Sequence, residues 1–424
     1  MKKKCLLFLS HKVFIVLFFA LCLVHTPLSI LAQNALGCNG IRYATDVFTD
    51  TTMTTVRYGV NNVGATTQQL YMDIVQPKND TLSRRPIIIW AFGGGFVTGQ
   101  RQDMRAFCQL YSQKGYVTAS IDYRLFPFFG VLPDSTAVTN TIIQAVQDMK
   151  ASIRYIRKTV KENGNPYRID TSNIIVGGVS AGAITAMLTA EMDSLDPIPT
   201  WIRTIIANQG GIEGNTGTPL YSSTVKGAIS MSGGLYRKEW LDKDDVPFAA
   251  YHGTADNIVA YGYGKNVYNF YGDGDGTLAP RAVELGIPTV LVTVPGGGHT
   301  DIYPSSPTNY PPSFVVWLGK MTDFVQRLIC GTKPLSAEDI ENHDVKVYPN
   351  PAYEEMTIEI DKNTEGGKFE LSVFDAVGRQ VLSLKNQNSK MLVLHKTDIG
   401  TGLFLVRMNF GDNTKPVLKK IIFE

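Results

Sequence analysis

The sequence predicts an α/β domain with a mostly parallel sheet covered by helices on both faces, followed by a small all-β sandwich domain. Near-continuous apolar runs, typical of strands buried on both faces of a sheet, alternate with helix-like segments as far as residue 330. From Val345 onward the chain changes to short runs of alternating apolar and polar residues separated by turn-forming residues. A segment of this length and pattern is typical of a β-sandwich.

The predicted elements of the α/β domain follow one another in chain order. Strands are predicted over residues 54–60, 69–75, 86–91, 116–121, 173–176, 226–231, 248–251 and 289–294. Helices are predicted over residues 102–114, 135–161, 183–188 and 317–329. In residues 135–161 the apolar side chains recur at steps of three and four, which is typical of an amphipathic helix. Ligand chemistry in such sheets gathers at the carboxyl ends of the strands, so the loops that follow the strands are expected to carry the site.

The 424 residues are enough for two or three domains. Residues 1–32 have the pattern of a signal peptide, with a basic start, an apolar run and a cleavage site after Ala32, although an uncleaved anchor is the alternative. The α/β domain is predicted over residues 33–332. Residues 333–344 are polar and are predicted to be a linker, and residues 345–424 form the predicted sandwich.

The formal net charge of +2 indicates no nucleic-acid partner. No residues have the spacing of zinc ligands, and the sequence predicts neither a metal nor a cofactor. After removal of the signal peptide the chain holds Cys38, Cys108 and Cys330. An exported protein can form disulfides, so one pair is expected to form a bridge and one thiol to stay free, with the pairing left open.

One stretch, Gly178-Val179-Ser180-Ala181-Gly182, lies between an apolar strand and a strong helix-forming segment. This order predicts a nucleophile elbow, a sharp turn that exposes Ser180. A strained turn requires small flanking residues, and the helix behind it directs its free N–H groups toward a developing anion. The alternative is a glycine-rich turn with an incidental serine.

Three further pieces complete a candidate site. Gly93-Gly94-Gly95 follows an early strand, and the N–H groups of Gly94, Gly95 and Ala181 are the predicted oxyanion donors. Asp256 and His299 follow the ends of two later strands. In the predicted triad His299 takes the proton of Ser180, and Asp256 fixes the imidazole tautomer.

Each assignment has a rival. Asp256 has the sequence context of a helix N-cap. Asp273 and Asp275 are rival acids, or a weak metal loop, and are predicted to form a surface turn because no strand end precedes them. His252 is the rival base, but it precedes the acid and ends a strand, so His299 is preferred.

With these residues in place, residues 54–330 resemble the α/β-hydrolase superfamily, in its carboxylesterase and hormone-sensitive-lipase-like branch. Gly93-Gly94-Gly95-Phe96 and Asp122-Tyr123-Arg124-Leu125 match two motifs of that branch, and the predicted triad falls on its triad positions. The resemblance implies a serine carboxylic-ester hydrolase that forms an acyl-enzyme with a small-molecule or polymer-linked ester. Phe92 departs from the pattern, because it replaces a histidine that holds the oxyanion loop by hydrogen bonds. The loop is therefore expected to be held by packing.

Two other functions are the alternatives: a serine peptidase of the same fold, and a non-catalytic binding protein on a hydrolase scaffold. The glycine triplet argues against the first, and the intact set of serine, aspartate, histidine and glycine argues against the second. The aromatic stretch over residues 125–132 predicts an apolar substrate pocket or, alternatively, packing of a loop onto the core. Short acyl esters, acetylated or feruloylated plant polysaccharides and synthetic esters stay open as substrates.

Three segments near the C-terminus are similar to the type IX secretion sorting domain: Val347–Ala352, Phe374–Gly378 and Gly400–Phe404. The resemblance implies passage through the Sec system and then export across the outer membrane of a Gram-negative cell. The type IX machinery is the implied partner, and the protein is expected to be secreted or held at the cell surface. A carbohydrate-binding or generic β-sandwich module is the alternative.

Overall fold

The computed structural model describes residues 36–127, 130, 132–306, 309–331, 345–360, 369–375, 380–409 and 417–424. These residues fall into two compact units, one on each side of residues 332–344. The predicted signal peptide and linker lie outside the described residues, so they and the domain bounds stay predictions. Within the described ranges, no helix combines the length and hydropathy needed to cross a membrane.

The first unit contains one large sheet and one small sheet. Their strands are β1 (Thr51–Val63), β2 (Thr66–Pro77), β3 (Arg85–Ala91), β4 (Val117–Ile121), β5 (Ile169–Val179), β6 (Gly227–Met231), β7 (Gly234–Leu235), β8 (Phe248–Gly253), β9 (Tyr263–Lys265), β10 (Tyr271–Gly274) and β11 (Thr289–Val294). The large sheet has the order β1-β2-β4-β3-β5-β6-β8-β11, in which the last six strands are parallel. Strands β1 and β2 are antiparallel to their neighbours. The predicted mostly parallel sheet is confirmed.

Among the described residues, six α-helices accompany these sheets: α1 (Arg105–Gln113), α2 (Ser135–Glu162), α3 (Ala181–Glu191), α4 (Thr200–Asn208), α5 (Asp275–Leu285) and α6 (Pro312–Cys330). Helix α2 agrees with the predicted amphipathic helix, and the side chain of Asp134 caps it by accepting from Ala137 N. Helices α4 and α5 and the small sheet β7-β10-β9 were not predicted. These elements are short, and glycines interrupt the small sheet, so they offer little periodicity to detect.

Four central strands, β3, β4, β6 and β8, are buried along their whole length. This burial agrees with their near-continuous apolar sequences, because a parallel strand between two helix layers has no solvent-facing side. The buried strands therefore determine where the loops at their carboxyl ends begin.

A disulfide joins Cys38 to Cys330 at the end of α6, and Cys108 is a buried free thiol. Burial raises the pKa of the Cys108 thiol to about 12, so this thiol is a packed core group rather than a reactive one. The bridge spans 292 residues of sequence. In the chain-entropy picture a loop of this size stabilises the fold by about 6 kcal/mol.

The second unit contains two antiparallel sheets. Its elements are β12 (Val345–Tyr348), β13 (Glu355–Ile360), β14 (Phe369–Asp375), β15 (Gln380–Gln387), β16 (Met391–His395), α7 (Lys396–Ile399), β17 (Gly402–Asn409) and β18 (Val417–Phe423). The sheets have the orders β12-β13-β16 and β15-β14-β17-β18. Apolar residues of both sheets, such as Ile358 and Val406, are buried in one shared core. The predicted sandwich is confirmed.

Candidate active site

Ser180 lies at the turn between β5 and α3, with φ at 54° and ψ at −119°. This left-handed backbone conformation is strained for a residue with a side chain. A Cβ atom on Gly178 would lie 2.2 Å from the carbonyl carbon of Gly182, and one on Gly182 would lie 2.2 Å from the carbonyl oxygen of Ala91. Both glycines are therefore required by close backbone approach, and the turn has the geometry expected of a nucleophile elbow.

The three residues of the predicted triad lie in contact with one another. The hydroxyl of Ser180 is 2.8 Å from His299 Nε2, and His299 Nδ1 is 2.6 Å from Asp256 Oδ2. Because the carboxylate can only accept, Nδ1 carries the proton and Nε2 is free to accept from the serine. The loops after β5, β8 and β11 bring these side chains together at the carboxyl ends of parallel strands.

Asp256 is held as a carboxylate. Its Oδ1 accepts from the N–H groups of Ile258 and Val259, both at 2.9 Å, and no helix begins there, so the N-cap alternative is wrong. Burial by itself raises the pKa of Asp256, but hydrogen bonds from His252 and His299 outweigh it and hold the pKa well below its usual range. The carboxyl group of Asp256 is therefore ionised at any physiological pH.

The glycine loop after β3 packs directly on the elbow. A Cβ atom on Gly93 would lie 3.4 Å from the Cβ of Ser180, and Gly94 and Gly95 have φ values of 117° and 60°. Among the described residues, no backbone carbonyl accepts from the N–H groups of Gly94 or Gly95. Ala181 is the first residue of α3, and its N–H has no partner inside the helix. The role of these three N–H groups as oxyanion donors stays a prediction.

Phe92 holds this loop by packing. Its ring is buried and stacks on Tyr123 with the centroids 4.2 Å apart, and the Tyr123 hydroxyl donates to the carbonyl of Phe92 at 2.7 Å. A Cβ atom on Gly99 would lie 2.4 Å from the Phe92 ring. From the other side, the Tyr268 hydroxyl donates to the carbonyl of Gly95. Tyr268 was not predicted from the sequence, because it lies 173 residues from its partner.

The prediction of a surface turn for Asp273 and Asp275 is wrong. Asp273 lies in β10, and Asp275 is the first residue of α5; both side chains are buried. Asp275 accepts from the Ser230 hydroxyl at 2.8 Å and contacts His252 Nδ1 at 2.9 Å. The prediction assumed that no strand end precedes these residues, but a short strand, β10, does, and partners from distant segments hold both side chains in the core. Asp275 is not in the acid position of the triad, because its imidazole partner is His252.

An apolar pocket lies between α2, α3 and the small sheet. Its walls include Ile143, Ile184, Leu188 and Phe270, and none of the predicted triad residues lines it. The described residues of the aromatic stretch 125–132 do not line it either; residues 128, 129 and 131 of that stretch lie outside the described residues. The cavity has walls from distant segments, which is why the sequence did not predict it.

Two segments of the chain match known protein families. Residues 72–210 match the BD-FAE family model, and residues 346–424 match the secretion system C-terminal sorting domain. The chain carries an α/β-hydrolase domain followed by a secretion sorting domain. The first match contains Ser180 and the glycine loop, whereas Asp256 and His299 lie beyond its end.

The curated relatives of this chain are distant. A fumonisin B1 esterase of Sphingopyxis macrogoltabida is 28% identical over 149 residues, which cover 34% of this chain and 26% of the relative. A probable isoprenylcysteine alpha-carbonyl methylesterase of Arabidopsis thaliana is 23% identical over 262 residues, which cover 56% of this chain and 49% of the relative. The chain thus spans about a quarter to a half of the length of these curated relatives.

The similar solved structures are also low in sequence identity. The propionate-bound esterase 2 of Thermogutta terrifontis is 19% identical, with a TM-score of 0.46, and the match covers 66% of this chain and 93% of that one. A truncated carbohydrate esterase from gut microbiota is 20% identical, with a TM-score of 0.47, and the match covers 67% and 98%.

Proposed function

We propose that this protein is an exported serine carboxylic-ester hydrolase with Ser180, His299 and Asp256 as its triad. The observation that carries the proposal is the unbroken contact from the Ser180 hydroxyl through His299 to Asp256. The names of the two curated relatives, an esterase and a methylesterase, support ester hydrolysis. The sorting domain supports export, for which we propose the type IX route after a Sec signal peptide.

The proposed reaction has two halves. Ser180 Oγ attacks the ester carbonyl carbon while His299 Nε2 takes its proton, and the N–H groups of Gly94, Gly95 and Ala181 donate to the resulting oxyanion. The intermediate collapses when the alkoxide leaves with the proton from His299. Water then loses a proton to His299, attacks the acyl-enzyme and releases the carboxylic acid, with the proton returned to Ser180.

The test is ester turnover by substituted proteins on nitrophenyl esters of graded acyl length. Ser180→Ala removes the attacking oxygen, so turnover should fall by about 10⁶ in kcat and covalent labelling by an organophosphonate should vanish. His299→Ala should cost about as much, since it removes the base, and the double variant should be scarcely worse. Asp256→Asn should cost less, about 10⁴, because it disturbs the imidazole tautomer.

Ser152→Ala is the matched control, since it removes a buried serine hydroxyl that donates to the carbonyl of Met149 in α2. It should keep the activity of the unsubstituted protein. Circular dichroism checks that each variant is folded. Turnover by folded Ser180→Ala near the unsubstituted value would end the serine-hydrolase proposal.

A further inference from the structure

The hydrogen-bonded chain of the predicted triad does not end at Asp256. Asp256 Oδ2, which contacts His299, also lies 3.3 Å from His252 Nε2. His252 Nδ1 lies 2.9 Å from Asp275 Oδ2, and Asp275 also accepts from the hydroxyl of Ser230 at 2.8 Å. The side chains of His252 and Asp275 are fully buried. A second histidine–aspartate pair thus lies directly behind the triad.

The partners of His252 determine its protonation. Nδ1 faces the carboxylate of Asp275, and Nε2 faces the carboxylate of Asp256 and the carbonyl oxygen of Val259 at 3.0 Å. All three groups accept hydrogen bonds, so both ring nitrogens must donate and the ring is an imidazolium. Burial by itself lowers the pKa of His252, but the bonds to Asp256 and Asp275 outweigh it and raise the pKa to about 10.

Uncharged aromatic and hydroxyl groups also lie near His252 and the two carboxylates. The Tyr261 ring meets it edge-on at 5.6 Å, and the Tyr261 hydroxyl is paired with Thr293. The buried Tyr303 hydroxyl lies 2.7 Å from the hydroxyl of Ser232. In the described part of the chain, no lysine or arginine forms an ion pair with Asp256 or Asp275. Among the described residues, His252 is therefore the cation that lies between these two carboxylates.

We propose that His252 and Asp275 are a positioning pair that holds Asp256 in place and limits the net negative charge facing His299. This inference rests on the proposed function. The three charges of Asp275, His252 and Asp256 sum to one negative charge, with the cation between the two carboxylates. Without that cation the imidazolium form of His299 would be stabilised further, and His299 would act as a base only at higher pH.

The acid limb of the pH profile of kcat/KM tests this inference, because it reports the base of the free enzyme. His252→Gln retains amide donors but removes the cation, so the acid limb should move to higher pH by about one unit. Tyr303→Phe is the matched control: it removes a neighbouring buried hydroxyl without changing the charge, so its limb should stay in place. An unmoved limb in folded His252→Gln would overturn the proposal, because a merely structural role lowers activity without shifting the profile.

A second measurement does not depend on activity or on His252→Gln being able to fold. In ¹⁵N-histidine NMR spectra of the full protein, His252 should have both ring nitrogens protonated from pH 6 to pH 9. Asp275→Asn removes the second carboxylate, and His252 should then lose a proton at a pH about two units lower. A neutral His252 at pH 7 in the unsubstituted protein overturns the positioning pair and leaves the proposed function standing, whereas an active Ser180→Ala protein overturns the proposed function and, with it, the role of the pair.

Discussion

At the scale of single residues, the stability of the fold depends on buried charges at the candidate site. The side chains of His252, Asp256 and Asp275 have no solvent-exposed surface. Removal of one member of such a group leaves an uncompensated buried charge, which is strongly destabilising. A change of pH or a substitution that alters one of these charges should therefore lower the free energy of unfolding.

The first prediction at this scale concerns the free energy of unfolding between pH 6 and pH 10. The pKa of His252 is raised from 6.5 to about 10 in the folded protein. The contribution of protonated His252 to the free energy of unfolding is therefore complete below pH 6.5. It is lost as the pH rises through 10, at up to about 1.4 kcal/mol per pH unit. Urea unfolding across this range should show the decline in the unsubstituted protein and a flatter profile in His252→Gln. Equal slopes in both proteins would contradict the prediction.

At the scale of structural elements, the glycine loop after β3 is held in an unusual way. Phe92 replaces the histidine of the motif that the sequence resembles, and its ring stacks on Tyr123. The Tyr123 and Tyr268 hydroxyls donate to the loop carbonyls of Phe92 and Gly95. The loop is thus fixed through its carbonyl groups and one buried ring, which leaves the N–H groups of Gly94 and Gly95 for another acceptor.

Phe92→Ala should loosen the glycine loop and lower kcat more than it raises KM. One lost oxyanion donor costs about 10²–10³ in rate, and a loosened loop should cost part of that. Phe324→Ala is a suitable control, because it removes a buried ring of α6 and should lower stability without this loss of kcat. A change confined to KM would identify Phe92 as a substrate contact.

At the scale of the whole molecule, the two units have separate hydrophobic cores. The core of the first unit is built from residues of the large sheet and its helices, and that of the second from its own two sheets. Each unit therefore buries its own apolar surface, which is the main source of folding free energy. The candidate active site lies within the first unit alone.

Deletion of residues 345–424 should leave ester hydrolysis intact in the purified protein. In the native host the truncated protein should accumulate in the periplasm, because the proposed export signal is gone. Full-length Ser180→Ala is the control, since it should be exported normally without activity. Fractionation and an ester assay measure both outcomes. Normal release of the truncated protein would contradict the sorting role, and normal release with loss of activity would indicate a substrate-binding module.

Local sequence information was enough for the features that depend on periodicity or on one turn. The period of apolar residues predicted α2 within one residue of its observed end, and the small residues around Ser180 predicted the turn between β5 and α3. The order of Ser180, Asp256 and His299 after strand ends placed them at one edge of the sheet, where they lie in contact. Each of these inferences needed only neighbouring residues and the rule that parallel strands end on the same side.

Tertiary structure alone decided which distant residues meet. The sequence left three cysteine pairings open, and the fold joins Cys38 to Cys330 across 292 residues. From the sequence, His252 and Asp275 were rivals of the predicted triad residues. In the fold they form a buried pair behind Asp256. A carboxylate among glycines is typical of an exposed turn, and only partners from other elements can stabilise its charge in a core. Those partners are set by three-dimensional packing, which no local pattern around Asp275 encodes.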